Sequence, residues 1–292
     1  MKAWLVYNSY LSSPKFEEIY RMLSCAADQA GVELSRRGNG SLLLPLGAEC
    51  TLELPDFAIF WDKDIPLARS LEGCGVRLFN CAAAIEACDD KRRTQSILTA
   101  AKIPMPAAIP GPMTYDAAGL SDYSFLAPAG ELLGWPMVIK EAFGSFGMQV
   151  YLAENAAAAE KIIRSFGNRP FLMQKFISAA AGRDIRINVV GGEVPACMER
   201  RGRPGDFRSN ATLGGSVRGV EAPDAAKKLA VAAAEALGLD FAGVDIIFDA
   251  DGSPMVCEVN SNPHFATTKA ACGVDLAPLI LRHCLRTLGG TK

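Results

Sequence analysis

The chain is short of the residues behind several common mechanisms. It has two histidines in 292 residues, His264 and His283, and neither sits in a convincing Ser-His or Cys-His arrangement. A protein nucleophile activated by histidine is therefore not expected. The nine cysteines are odd in number, scattered and never spaced Cys-x-x-Cys, which argues against a disulfide framework and a zinc site. Cys74, Cys81 and Cys88 fall seven apart, but Cys74 and Cys81 lie on opposite sides of a strand-like run. Cysteines kept reduced and packed as small apolar groups in a cytoplasmic protein are expected. No apolar run approaches the roughly 18 residues of a membrane span. Met1 to Tyr7 is too short for a signal peptide, lacks a small-residue cleavage site, and reads as a first strand. Net charge is only -2, which argues against nucleic acid or an anionic membrane as the main partner. There is no internal repeat or low-complexity tract.

What remains is a globular composition, 50% apolar and 21% charged, in a chain long enough for more than one domain. The first ninety residues alternate strand and helix signals. Trp4 to Tyr7, Phe57 to Trp61 and Val76 to Phe79 read as strands, with helices at Phe16 to Gly31 and Pro66 to Glu72. This predicts a small α/β layer with a parallel sheet of three strands. A helix follows from about Asp89 to Ala101, and a proline-rich joint from Pro104 to Pro112. Beyond Trp135 the pattern becomes short strands: 136–140, 149–152, 171–176, 184–190 and 194–199, interrupted by a helix over 155–166. Helices over 224–237 and 275–288 complete an α+β arrangement with antiparallel sheets.

The most informative stretch is a hairpin. Asp245-Ile246-Ile247-Phe248 and Met255 to Asn262 flank the turn Asp249-Ala250-Asp251-Gly252. Antiparallel pairing brings the start of one strand beside the end of the next, so Asp245 should meet Glu258 and Asn260. Glu258, Asn260 and Asn262 lie two apart and share a face if the strand continues. Hard oxygen ligands with two full charges suit Mg²⁺ shared with a phosphorylated ligand. The plain alternative is a solvated strand end.

Three other features bear on that choice. Lys140 ends a strand that runs into Gly144-Ser145-Phe146-Gly147, where backbone N–H groups can approach phosphate oxygens and the ammonium can neutralise them. This is neither a P-loop nor a Rossmann fingerprint, since a strand follows. Gln174-Lys175-Phe176-Ile177 is a strand end that can offer backbone groups to an adenine edge. Arginines gather in Arg183-Asp184-Ile185-Arg186, Glu199-Arg200-Arg201 and Gly205 to Asn210, as suits an anionic substrate. Each also reads as a solvated hairpin or a basic face; their order in the chain does not.

That order resembles the ATP-grasp superfamily. Asp184-Ile185-Arg186, Glu199-Arg200-Arg201, Gly205 to Asn210, Gly243-Val244-Asp245-Ile246 and Glu258-Val259-Asn260-Ser261 resemble the RimK-type carboxylate–amine ligases, the ribosomal protein S6 glutamate ligase type. The resemblance covers roughly Cys88 to the C-terminus. It implies an N-terminal α/β domain (1–88) followed by an ATP-grasp fold of two α+β subdomains (89–180 and 181–292). ATP would lie between them. Lys91 and Lys140 would contact phosphates, and Gly144, Ser145, Phe146 and Gly147 would close over them. The backbone of Lys175 and Phe176 would bind adenine and Asp184 the ribose, with Arg208, Ser209 and Asn210 completing the pocket. Asp245, Glu258 and Asn260 would hold two Mg²⁺ ions, with Mn²⁺ a substitute. A substrate carboxylate would attack the γ-phosphate, and an amine would attack the acylphosphate through an oxyanion stabilised by Arg186 or Arg200. The partners are an amino acid and a carboxylate on a peptide, protein tail or metabolite; family resemblance also implies a homo-oligomer.

Two departures from the family pattern stand out, of which the second bears on the substrate. The family commonly has Gln-Glu-Tyr/Phe-Ile at the hinge, where this chain has Lys175. After Asn260 its usual Ser-Ser-Pro-Gly is replaced by Ser261-Asn262-Pro263-His264-Phe265, so Asn262 and His264 are candidate substrate contacts. A cofactor-tail ligase, a peptide-modifying macrocyclase and a non-catalytic ATP-binding module stay open as alternatives.

Overall fold

The structure, a computed structural model, describes residues 1–115, 118–144, 147–209 and 214–289. The first sheet is parallel and has four strands in the order β2-β1-β3-β4: β1 (Lys2–Tyr7), β2 (Glu33–Gly38), β3 (Phe57–Trp61) and β4 (Arg77–Phe79). The sequence predicts three. The added strand, β2, is polar and half exposed at the sheet edge, so no apolar run marks it. β3 is buried along its whole length, as its unbroken apolar run requires.

Helices α1 (Pro14–Gln29), α2 (Ile65–Gly73), α3 (Ala82–Asp89) and α4 (Lys91–Ala100) accompany this sheet and lead away from it. Ser13 caps α1 through a bond from the Phe16 N–H, Pro14 opens the helix, and Gly31 at φ +68 ends it. The helix expected from Asp89 is α4, and a further helix, α3, comes just before it. Asp90 breaks them apart and caps the second, its Oδ1 accepting from the Arg92 N–H at 2.9 Å.

The second sheet is antiparallel with order β5-β8-β6-β7: β5 (Ala108–Pro110), β6 (Met137–Glu141), β7 (Val150–Ala153) and β8 (Phe171–Lys175). The expected proline joint thus contains an edge strand, and Pro110 is tolerated there because an edge position has no inner ladder to lose. Helices α5 (Leu126–Leu133) and α6 (Ala156–Phe166) pack on this sheet.

The third sheet has five antiparallel strands, β11-β10-β9-β12-β13: β9 (Arg183–Val190), β10 (Glu193–Arg201), β11 (Ser216–Gly219), β12 (Phe241–Phe248) and β13 (Pro254–Asn260). One face rests on α7 (Asp224–Ala236), whose alanines let it sit close to the strands. The final helices, α8 (Ala266–Cys272) and α9 (Ala277–Gly289), return to the first sheet. Phe265, Ala277, Ile280 and Leu281 share a core with Leu5, Leu23, Phe57 and Trp61. Among the described residues no helix is long and apolar enough to cross a membrane.

Candidate active site

A cleft of about 290 Å³ opens between the second and third sheets and reaches the C-terminal end of β3. Its described lining includes nine lysines and arginines and four carboxylates, and although the Arg183 side chain turns away to Glu199, the field of the rest favours a polyanion. Lys91, Lys140, Gly144, Gly147, Lys175, Phe176, Asp184, Arg186, Arg200, Arg208, Ser209, Asp245, Glu258, Asn260, Asn262 and His264 all line it. The fold therefore collects the predicted residues at one place. Ser145, Phe146 and Asn210 lie outside the described residues.

The hairpin brings the start of β12 beside the end of β13, as expected, but in a register shifted by one residue. Asp245 stands opposite Glu258, with a bulge just after Asp245, and Gly243 stands opposite Asn260. Lys91 Nζ lies 3.5 Å from Glu258 Oε1 and donates to the Gly144 carbonyl at 3.2 Å. Arg208 Nη1 donates to the Gly147 carbonyl at 3.1 Å, so both described ends of the glycine loop are held by cations. Lys140 is buried, its Nζ 3.9 Å from the Cys257 sulfur. Burial pushes the Cys257 thiol pKa up, which keeps it un-ionised beside the lysine.

Behind the hairpin runs an alternating chain of charge. Asp184 accepts from Arg200 Nε at 2.7 Å and Nη2 at 2.5 Å, and from the Ser209 hydroxyl. Arg200 Nη2 also reaches Asp245 Oδ2 at 2.7 Å. Arg186 grips Asp245 through Nε and, at 2.8 Å, through Nη2. Burial alone would raise both carboxyl pKa values. At Asp245 the two guanidinium groups outweigh burial and hold it low. Asp184 has one guanidinium and a neighbouring carboxylate, and burial prevails, raising it.

Several of the candidate residues already have partners. Asp184 accepts from Arg200 and Ser209, which leaves one acceptor position on its Oδ1. Arg186 and Arg200 are already engaged by carboxylates. The Lys175 N–H donates to the Ala107 carbonyl at 2.8 Å, which leaves Phe176 to supply the hinge N–H. His264 Nε2 donates to the Lys15 carbonyl at 3.0 Å, while its Nδ1 lies 3.5 Å from the Thr267 hydroxyl. Burial lowers its pKa, so it is a neutral clasp between α1 and the loop before α8. Asn262 Nδ2 donates to the Asp62 carbonyl at 3.1 Å.

The donor types fit magnesium in part. Glu258 offers a carboxylate about one third exposed. Asn260 commits its Nδ2 to the Gly243 carbonyl at 3.4 Å and keeps its Oδ1 as an acceptor. Asp245 is the right ligand type, but guanidinium groups hold both its oxygens. Among the described residues no cluster of three or more His, Cys, Asp or Glu could hold a metal ion, so an amide must contribute.

Sequence reasoning missed the wall supplied by the first sheet. Trp61, Lys63 and Lys15 line the cleft, at the carboxyl end of β3 and the start of α1. The readable signal was Trp61-Asp62-Lys63-Asp64 directly after a buried parallel strand, the position where open α/β sheets hold ligands.

A family model described as a RimK-like ATP-grasp domain matches residues 88–284. The chain belongs to the RimK-like ATP-grasp family. The probable alpha-L-glutamate ligase of Stenotrophomonas maltophilia (strain K279a) is 41% identical over 217 residues, 74% of this chain and 71% of that protein. N-acetylaspartylglutamate synthase A of Homo sapiens is 32% identical over 283 residues, 93% of this chain and 70% of that protein. The fold matches a RimK domain ATP-grasp protein from Sphaerobacter thermophilus DSM 20745 at a TM-score of 0.74 and 23% identity, covering 97% of this chain and 99% of that one. As a RimK-like ATP-grasp protein the chain is an ATP-dependent carboxylate–amine ligase, as expected from the sequence. Its fold uses ATP, commonly with magnesium.

Proposed function

We propose that the chain joins an amino acid, glutamate first among candidates, to a carboxylate on a peptide, protein tail or small metabolite. The observation that carries this is the meeting of Asp245 and Glu258 across the hairpin, in the cleft that Lys91 and Lys140 also enter. Lys91 and Lys140 neutralise the transferring phosphoryl group, and the glycine loop from Gly144 to Gly147 covers it and excludes water from the acylphosphate. The hinge at Lys175 and Phe176 meets the base, and Arg208 and Ser209 border the nucleotide. Asp245, Glu258 and Asn260 would hold two magnesium ions, with manganese as a substitute, and these would stabilise charge on phosphoryl oxygens. Arg186, at the end of the charge chain nearest Pro263, is placed to stabilise the oxyanion formed when the amine attacks. Asn262 sits on the acceptor side.

A cytoplasmic location is supported by the absence of disulfides among all nine cysteines. A homo-oligomer is the state we propose from family resemblance. The test is release of ADP and phosphate across a panel of amino acids with peptide and dicarboxylate acceptors. Amine-dependent ADP release is expected, with the product identified by mass spectrometry. Its absence across a broad panel would sink the ligase substrate assignment. Glu258→Gln should lower turnover by at least about a hundredfold with an unchanged melting temperature; retained turnover would remove Glu258 from the metal set.

A further inference from the structure

Gly243 lies inside the central strand β12, where a glycine weakens pairing and its φ is not in the left-handed region. What the position requires is space. A Cβ built there would lie 2.8 Å from Pro263 Cβ, 2.9 Å from Arg186 Nη1 and 3.0 Å from Arg186 Cδ. The arginine passes over the glycine to reach Asp245.

We propose that Arg186, seated on Gly243, is a resident cation: it holds Asp245 until a divalent ion arrives together with a nucleotide. This rests on the reading of Asp245 and Glu258 as metal ligands.

Three observations converge. Both oxygens of Asp245 accept from guanidinium groups, and the carboxylate is buried. A carboxylate so held has one acceptor position left, on Oδ1, and offers a metal ion more than that only when a guanidinium lets go. Arg186 is the one free to go, because Arg200 is also anchored by both of its bonds to Asp184. The described lining of the cleft is strongly positive, so a bare divalent ion is repelled while a nucleotide that carries one is attracted. When Arg186 lets go, its charge moves toward Pro263 and the acceptor side of the cleft. Metal loading and the presentation of Arg186 to substrate become one event.

The test is an Mn²⁺ titration followed by electron paramagnetic resonance, on the full chain without nucleotide and then with ADP. Wild type should bind Mn²⁺ weakly alone and tightly with ADP. Arg186→Gln should bind Mn²⁺ alone at least about tenfold more tightly than wild type, because one positive charge beside Asp245 is gone. Arg186→Lys keeps the charge and should stay within about threefold of wild type. Gly243→Ala should tighten Mn²⁺ binding as well, by pushing the guanidinium aside. If Arg186→Gln does not fold, Gly243→Ala carries the same comparison with the chain's charge unchanged. Equal or weaker Mn²⁺ binding in the folded variant overturns the proposal. Glu258→Gln separates the two readings. Tight Mn²⁺ binding with ADP in that variant removes the metal assignment itself. Its loss there, with no gain from Arg186→Gln, removes only the resident cation.

Discussion

Two clusters of arginine and carboxylate occupy opposite faces of the third sheet, alternating along β9 and β10, with β12 adding to one and β11 to the other. On the cleft face, Asp184, Arg186, Arg200 and Asp245 form a buried set with equal numbers of each charge. On the other face, Arg183, Arg201 and Arg218 surround the single carboxylate of Glu199. Glu199 is 2% exposed, but the arginine side chains are 55–66% exposed. A buried cluster must balance its charge, because an unpaired ion there has no water to solvate it. An exposed one need not, because solvent screens the excess. A shift of one residue in strand register would exchange the two sets, so the pleat itself separates the chemistry from the surface.

The sharpest way to break this comparison is to unbalance each side. Asp245→Asn leaves two buried guanidinium groups sharing Asp184. It should cost about 3–5 kcal/mol in denaturant unfolding, beyond its loss of turnover. Glu258→Gln is the gentler probe of the metal site, since Glu258 is about one third exposed and the Lys91 ammonium that loses it keeps its bond to the Gly144 carbonyl. A loss under about 1 kcal/mol for Asp245→Asn would mean that the cleft face is wetter than its burial states.

On the other face, Glu199→Gln should cost less, about 1–2 kcal/mol, because its partners are solvated. It should also change the pH dependence of stability. Hydrogen bonds from Arg201, Arg218 and Arg183 hold the Glu199 pKa down, at about 2. A folded-state pKa below the unfolded one means that unfolding takes up a proton. The stabilisation is thus complete above the ordinary carboxylate range and is lost as pH falls toward about 2. Melting curves from pH 6 down should converge for wild type and Glu199→Gln; parallel curves would contradict the assignment. The smallest effect belongs to Arg218→Ala, within about 0.5 kcal/mol of wild type by thermal melting, since Glu199 retains two other arginines.

Much of this arrangement was legible in the sequence because β periodicity and turn chemistry act locally. The turn at Asp249 to Gly252 pairs the two strands, and the bulge after Asp245, which no sequence signal marks, shifts Asp245 from Cys257 to Glu258. Alternation predicts that Asp184 and Arg186 share a face. It does not show that Arg200 bridges Asp184 to Asp245, since that depends on which strand pairs with β9. The polar edge strand β2, the short strand β11 and the seven-residue helix α8 carry too little apolar pattern to read. The bond from His264 to α1 was not legible, because its partner, the Lys15 carbonyl, lies 249 residues away and is a backbone atom.

The return of the last two helices to the first sheet has a practical meaning. Trp61 stacks on Phe241 at 5.5 Å between ring centres and meets Phe265 edge-on at 5.5 Å. Anyone grafting acceptor selectivity from one relative to another would cut near residue 88, where the matched family domain begins. Such a chimera would cut through the core that Leu5, Leu23, Phe57 and Trp61 share with Phe265, Ile280 and Leu281. The unit to transplant is discontinuous: the opening segment together with the stretch from Phe265 through α9.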